Sequence, residues 1–186
     1  MINELQNVKK EFREKIKTLN NKYGNVNFVE EDKLIINKVL ENDKYKNCKT
    51  LLIYYPMGNE VNTISLIEKA LENNKTVALP KIVKDEMVFI KIKTDWTSHL
   101  SLSSYKIQEP NMNEVIKDFN NQCLMIVPNL ALAIDLSRIG HGKGYYDKFL
   151  KDKTNIFKIG ICRSYLLFDT LPTDEYDIKL DLIISN

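Results

Sequence analysis

Short apolar runs recur along the chain at residues 50–55, 76–79, 123–127, 157–162 and 180–184. Each is too short for a helix, and apart from Lys158 and Asp181 the runs are too continuous for strands with one wet face. Strands read this way when both faces of their sheet are covered. Between the runs lie stretches with helical spacing. Leu5, Val8, Phe12, Ile16 and Leu19 recur at intervals of three and four and predict an amphipathic helix over 3–20. A second helix is expected over about 30–41 with Leu34, Ile35, Val39 and Leu40 inward. A third should follow Asn62 or Thr63, either of which can cap it. Pro56 and Pro80 are expected to stop the first two strands, and alternation over 87–93 predicts a half-exposed one. Residues 95–110 read as loop and 112–119 as a short helix. Strands alternating with helices define an α/β chain with a mainly parallel, two-sided sheet. At 186 residues, 44% hydrophobic and without repeat or linker, a single domain over 1–186 is expected.

A net charge of +2 excludes a strongly basic nucleic-acid binder, and no aromatic-basic platform is visible. No run approaches the length of a membrane span, and residues 1–20 lack the apolar core of a signal peptide. Cys48, Cys123 and Cys162 are far apart and have no metal-ligand spacing. Cys123 and Cys162 fall in apolar runs and read as small buried side chains. A reducing, cytoplasmic setting is expected.

The chemistry concentrates in Arg138-Ile-Gly-His-Gly-Lys-Gly-Tyr-Tyr-Asp147, which holds Gly140, Gly142 and Gly144, half of the chain's six glycines. Alternate glycines free the backbone for positive φ and close approach. Successive N–H groups can then form an anion-binding concavity. Arg138, His141 and Lys143 add donors, and the helix expected to start at Tyr145 would add its dipole. The spacing matches neither the dinucleotide fingerprint nor the P-loop. A flexible turn is the plain alternative; a phosphate site is the functional one.

Asp147 could pair with Lys151 on a helix, or hold Mg²⁺ beside a phosphate. Asp181 sits opposite the apolar face of 178–184 and needs a partner, a salt bridge or a metal. Lys9, Arg13 and Lys17 form a basic row on the first helix, either solvated or a cationic clamp for the same phosphates. Glu60 leaves a strand toward a helix, where ligands bind in parallel α/β sheets. It either complements a helix dipole or accepts hydrogen bonds from a heterocycle.

Taken together, these segments resemble the 5-formyltetrahydrofolate cyclo-ligase (5,10-methenyltetrahydrofolate synthetase) family. The glycine segment matches its Arg-Leu-Gly-x-Gly-x-Gly-Tyr-Tyr-Asp pattern, with Val127-Pro128 upstream at the family distance. Lys9-Lys-Glu-Phe-Arg13, Pro56-Met-Gly-Asn-Glu60-Val-Asn-Thr63, Glu109-Pro110, Leu171-Pro172 and Asp177-Ile-Lys-Leu-Asp181 fit in the same order. The chain departs from the pattern at Lys106, Ala133 and Tyr176, usually glycine, aspartate and histidine, and after Pro128, where Asn129 replaces a glycine.

The resemblance implies a three-layer α/β/α fold with a mainly parallel central sheet, similar to that of sugar-phosphate isomerases and coenzyme A transferases. It implies an ATP- and Mg²⁺-dependent ligase that converts 5-formyltetrahydrofolate to 5,10-methenyltetrahydrofolate. ATP would be held by Lys9, Lys10, Arg13 and Arg138, Ile139, Gly140, His141, Gly142, Lys143, Gly144, Tyr145 and Tyr146. Of these, Lys143 and Arg138 would act in catalysis. Tyr55, Glu60, His141 and Tyr145 would hold the folate, and Asp147 and Asp181 the metal. A monomer acting on small molecules, with no nucleic-acid or membrane partner, is expected. A ligand carrier without turnover and a sugar-phosphate enzyme are the alternatives.

Overall fold

The apolar runs line up side by side. In chain order, α1 (Ile2–Lys22), α2 (Val29–Glu41) and α3 (Asp43–Asn47) precede β1 (Thr50–Leu52), and α4 (Ile64–Glu72) leads to β2 (Thr76–Val83) and β3 (Glu86–Ile92). An antiparallel pair, β4 (Leu100–Leu102) and β5 (Gln108–Pro110), comes next. Then follow β6 (Cys123–Val127), β7 (Ala131–Ala133), β8 (Arg138–Ile139), α5 (Tyr145–Leu150), β9 (Phe157–Cys162), β10 (Leu167–Phe168) and β11 (Leu182–Ser185). The computed structural model describes residues 2–24, 26–103 and 107–186, so Lys106 lies outside the described residues.

The main sheet runs in the order β11-β9-β6-β1-β2-β3. All its pairs are parallel except β2–β3. Alternation along the strands builds a core on each face. Leu51, Ile53, Leu124, Ile126, Ile159 and Ile161 meet α2, α3 and α4 on one side. Leu52, Met125, Val127 and Cys162 meet Ile16 of α1, Leu150 of α5 and the small β10-β7-β8 sheet on the other. The second covering layer is therefore part helix and part sheet. Burying each such Leu or Ile side chain contributes about 1.5–3 kcal/mol. Among the described residues, no helix is long and apolar enough to cross a membrane.

Gly160 sits where the two sheets close on each other. A Cβ there would lie 2.4 Å from Leu180 Cδ1 and 2.9 Å from Leu132 Cδ1. The absent side chain lets β7, and with it the β7–β8 hairpin that leads into the glycine loop, press onto the main sheet.

Several local expectations give way to tertiary contacts. Leu34 is 55% exposed, and Ile36 at 3% takes its inward place beside Ile35 and Val39. Val8 is 46% exposed while Lys9 at 4% turns inward. Strand β2 continues through Pro80 because, among the described residues, β1 pairs only as far as Ala78 and leaves β3 as the one strand partner there. Residues 112–119 are not a helix: Val115 bridges Ile90, and Ile116 N–H donates to Phe89 O at 2.8 Å. The segment covers the outer edge of β3. Residues 95–110 contain a 3₁₀ turn (Trp96–His99) and β4 and β5, with Trp96 buried in the core. Leu180 and Asp181 precede β11, and α3 had no sequence signal.

Candidate active site

The alternate glycines of the loop each meet a different demand. A Cβ on Gly140 would stand 2.8 Å from Arg138 Nη1, and one on Gly142 would stand 3.1 Å from Arg13 Cζ. Two guanidinium groups thus pack against the loop where side chains are missing. Gly142 (φ +91°) and Gly144 (φ +68°) also take left-handed backbone, which glycine adopts without strain. Gly144 is the residue before α5. That helix has only 6 residues, so its dipole adds less to the loop than expected.

Arg138 is 6% exposed at the end of the β7–β8 hairpin. Its Nη2 donates to Asp147 Oδ1 at 2.7 Å, and its guanidinium lies 6.0 Å from the Tyr146 ring centroid. Asp147 therefore pairs with Arg138, not with Lys151. Its Oδ1 also accepts from Ile178 N–H at 3.2 Å. Burial, with the Glu60 charge adding to it, pushes the Tyr146 hydroxyl well up, so it remains a neutral donor.

Helix α1 lays Lys9 and Arg13 against this assembly. Arg13 Nε donates to Gly140 O at 2.9 Å. Lys9 Nζ donates to Asp174 Oδ2 at 2.7 Å and also to Asp177. Burial alone would lower the Lys9 ammonium, but hydrogen bonds and charge from both acids hold it above its ordinary value. The Lys9 hydrogen bond in turn holds Asp174 low, against burial. Since Asp177 adjoins Ile178, a chain of contacts runs from Arg13 through Gly140, Arg138 and Asp147 to Lys9. The basic row is thus half clamp and half solvent: Lys17 is exposed beside Glu14, and Lys10 is exposed. Lys143 is exposed with no partner among the described residues.

Glu60 approaches from the carboxyl end of β1. Its Oε2 accepts from Met57 N–H at 2.9 Å, and its Oε1 stands 3.4 Å from His141 Nε2. This joins the loop after β1 to the glycine loop across 81 residues of chain. Tyr55 is half-buried with its ring edge-on to Trp96 at 6.1 Å. Tyr145 is half-buried at the start of α5, and Ile139 is buried in β8. Arg163 and Asp32, which local sequence did not single out, lie beneath this loop. Asn129, which stands where the family pattern has a glycine, ties Val127 O to Ile161 O through its Nδ2 across the ends of β6 and β9.

Asp181 is not brought to this cluster. It lies at the amino end of β11, where Oδ2 accepts from the Lys158 N–H and Nζ, both at 2.7 Å. The ligand crevice of a parallel sheet opens at the opposite, carboxyl ends. The acid that reaches the cluster from this segment is Asp177. Ala133 is buried in β7, and Tyr176 is 70% exposed.

Residues 5–186 match the sequence model of the 5-formyltetrahydrofolate cyclo-ligase family. A Schizosaccharomyces pombe protein named "Probable 5-formyltetrahydrofolate cyclo-ligase" is 33% identical over 166 residues, 81% of either chain. The Mycoplasma pneumoniae 5-formyltetrahydrofolate cyclo-ligase is 34% identical over 141 residues, 74% of this chain and 73% of that one. The solution structure of Aquifex aeolicus 5,10-methenyltetrahydrofolate synthetase superposes with a TM-score of 0.79 at 27% identity, covering 95% of this chain and 89% of that one. A structure of the 5,10-methenyltetrahydrofolate synthetase from Mycoplasma pneumoniae superposes with a TM-score of 0.68 at 28% identity, covering 95% of this chain and 98% of that one.

Proposed function

Because the chain belongs to the 5-formyltetrahydrofolate cyclo-ligase family, we propose that the cluster around the glycine loop turns 5-formyltetrahydrofolate and ATP into 5,10-methenyltetrahydrofolate, ADP and phosphate. The observation that carries this reading is the approach of Glu60 to His141. It sets a carboxylate suited to a heterocycle beside a loop suited to phosphate, as transfer from one ligand to the other requires.

The N-formyl oxygen is a poor leaving group. Its attack on the γ-phosphorus of ATP gives an iminium phosphate and ADP. N10 then attacks the formyl carbon and gives up its proton, the ring closes, and phosphate departs with the former formyl oxygen. Phosphoryl transfer asks for positioning and charge neutralisation. Arg13 and Arg138, packed on Gly142 and Gly140, are suited to the polyphosphate, with Lys10 exposed along α1 and Lys9 taken up by Asp174 and Asp177 beside them. Lys143, exposed and unpaired among the described residues, is free to follow the transferred group. The backbone of 139–146 completes the nucleotide site. Tyr55 and Glu60 hold the folate, and His141 and Tyr145 lie between the two ligands.

Among the described residues, no three His, Cys, Asp or Glu side chains gather into a metal-binding cluster. Mg²⁺ needs none, since phosphate oxygens and water supply most of its ligands. Asp147 uses Oδ1 for Arg138 and Ile178, which leaves Oδ2 for a cation. Bound there, Mg²⁺ would supply charge neutralisation at the phosphates. The Lys158 partnership of Asp181 lends a metal role there no support. A reducing, cytoplasmic setting fits the buried free cysteines.

The test is absorbance in the methenyl band when the protein meets 5-formyltetrahydrofolate, ATP and Mg²⁺. ATP-dependent growth is expected. Ligand-stabilised melting without product would indicate a carrier instead, and turnover of a sugar phosphate without ATP would indicate the related enzyme class.

A further inference from the structure

We infer that Arg163 is a positioning residue for the folate subsite, held in that role by Asp32; this rests on the reading of the Glu60 loop as that subsite. Arg163 is the first residue beyond the carboxyl end of β9 and is 3% exposed. Its Nη1 donates to Asn59 O, and its Nη2 donates to Glu60 O at 3.2 Å and to Asp32 Oδ1 at 2.7 Å. Its guanidinium lies 4.1 Å from the Phe28 ring centroid. Asp32, on α2, uses its other oxygen to accept from Asn62 N–H at 3.2 Å. Both members of one largely buried ion pair therefore grip the same loop, at Asn59, Glu60 and Asn62.

That loop closes on itself through Glu60 N–H, which donates to Met57 O at 3.0 Å, and Tyr54 Oη, which donates to Val61 O at 3.1 Å; Arg163 and Asp32 fix it to the rest of the fold. It passes through Gly58 in left-handed conformation (φ +52°), and Gly58 and Asn59 are exposed. Among the described residues, the Glu60 carboxylate is held within the loop by Met57 N–H, so its direction follows the backbone that carries it. Arg163 sets that backbone at the two carbonyls on either side of the Glu60 Cα. The task suits arginine, whose planar fork serves several acceptors at fixed angles, where a lysine ammonium is a single point.

The experiment measures KM for 5-formyltetrahydrofolate and for ATP, and kcat, on the full chain carrying Arg163→Lys, Asp32→Asn or Glu60→Gln, with Tm recorded for each. Arg163→Lys keeps the charge and loses the fork; Asp32→Asn keeps the shape and loses the ion pair. Losing a charge-assisted hydrogen bond typically changes an equilibrium about tenfold or more. Folate KM should therefore rise about tenfold in Arg163→Lys and several-fold in Asp32→Asn, while ATP KM stays within about twofold. A purely structural pair would lower Tm and the active fraction and leave folate KM unchanged. That result, or an equal rise in both KM values, overturns the inference. If Arg163→Lys does not fold, Asp32→Asn decides by the same criterion. An unchanged folate KM in Glu60→Gln would instead remove the reading of the loop, and the inference with it.

Discussion

Replacing Lys9 by methionine would take one ammonium from between two carboxylates and leave its aliphatic stem in place. Lys9 is 4% exposed, with Nζ 2.7 Å from Asp174 and bonded also to Asp177. A hydrogen bond to a charged group contributes about 1.5–3 kcal/mol. The two carboxylates keep 19% and 23% of their surface, so water screens part of this. A net loss of about 2 kcal/mol follows, including the repulsion left between the two acids. For a chain of this size that lowers Tm by roughly 4–8 °C. The pH dependence tests the cause. The Asp174 carboxyl is held below its ordinary 3.8 by the Lys9 hydrogen bond, so the stability it gains is present above that value and lost as pH falls through the lower folded one. The Lys9 ammonium is held above its ordinary 10.5, so its share is present below that value and lost as pH rises through the higher folded one. The wild-type advantage should be full near neutral pH and shrink at both extremes. Circular-dichroism melts of both proteins between about pH 3 and pH 8 would read the acid limb. Equal Tm at neutral pH, or a gap undiminished at the acid end, would refute the ionic reasoning.

Lys143→Ala should leave Tm unchanged, since Lys143 has no partner among the described residues. It should lower kcat about 10²–10³-fold, the usual effect of removing one positioned donor; near-normal turnover would exclude the role. Asp147→Asn should raise the Mg²⁺ concentration needed for half-maximal rate, and an unaltered metal titration would count against Asp147 as a ligand. Gly160→Ala puts a Cβ within 2.4 Å of Leu180 Cδ1. Such overpacking costs about 1–3 kcal/mol, and urea unfolding should show a lower midpoint at unchanged slope.

The legible parts of this protein were those decided by neighbours in sequence. The continuous apolar run at 123–127 announced a buried strand, because a residue pattern without a polar face leaves a strand no wet side. Ile16 and Phe12 announced the inward stripe of α1. The alternate glycines marked the loop, since positive φ and missing side chains are properties of the residues themselves. Where polar periodicity was read, the outcome depended on what stood opposite. Residues 112–119 carry helical spacing, yet the open edge of β3 offered their backbone a partner. Lys9 reads as an exposed base one step from the apolar stripe, until Asp174 and Asp177 return from the far end of the chain to enclose it.

By itself the sequence determined the α/β class, the family and the loop around which the chemistry gathers, because hydrophobic period and glycine freedom act over a few residues. Only the tertiary structure decided which charges meet. Arg138 belongs to Asp147, Asp181 to Lys158, and Arg163 to Asp32. An ion pair forms between side chains that the fold brings within a few ångströms, and no local pattern records which acid from 131 residues away will arrive at a given arginine.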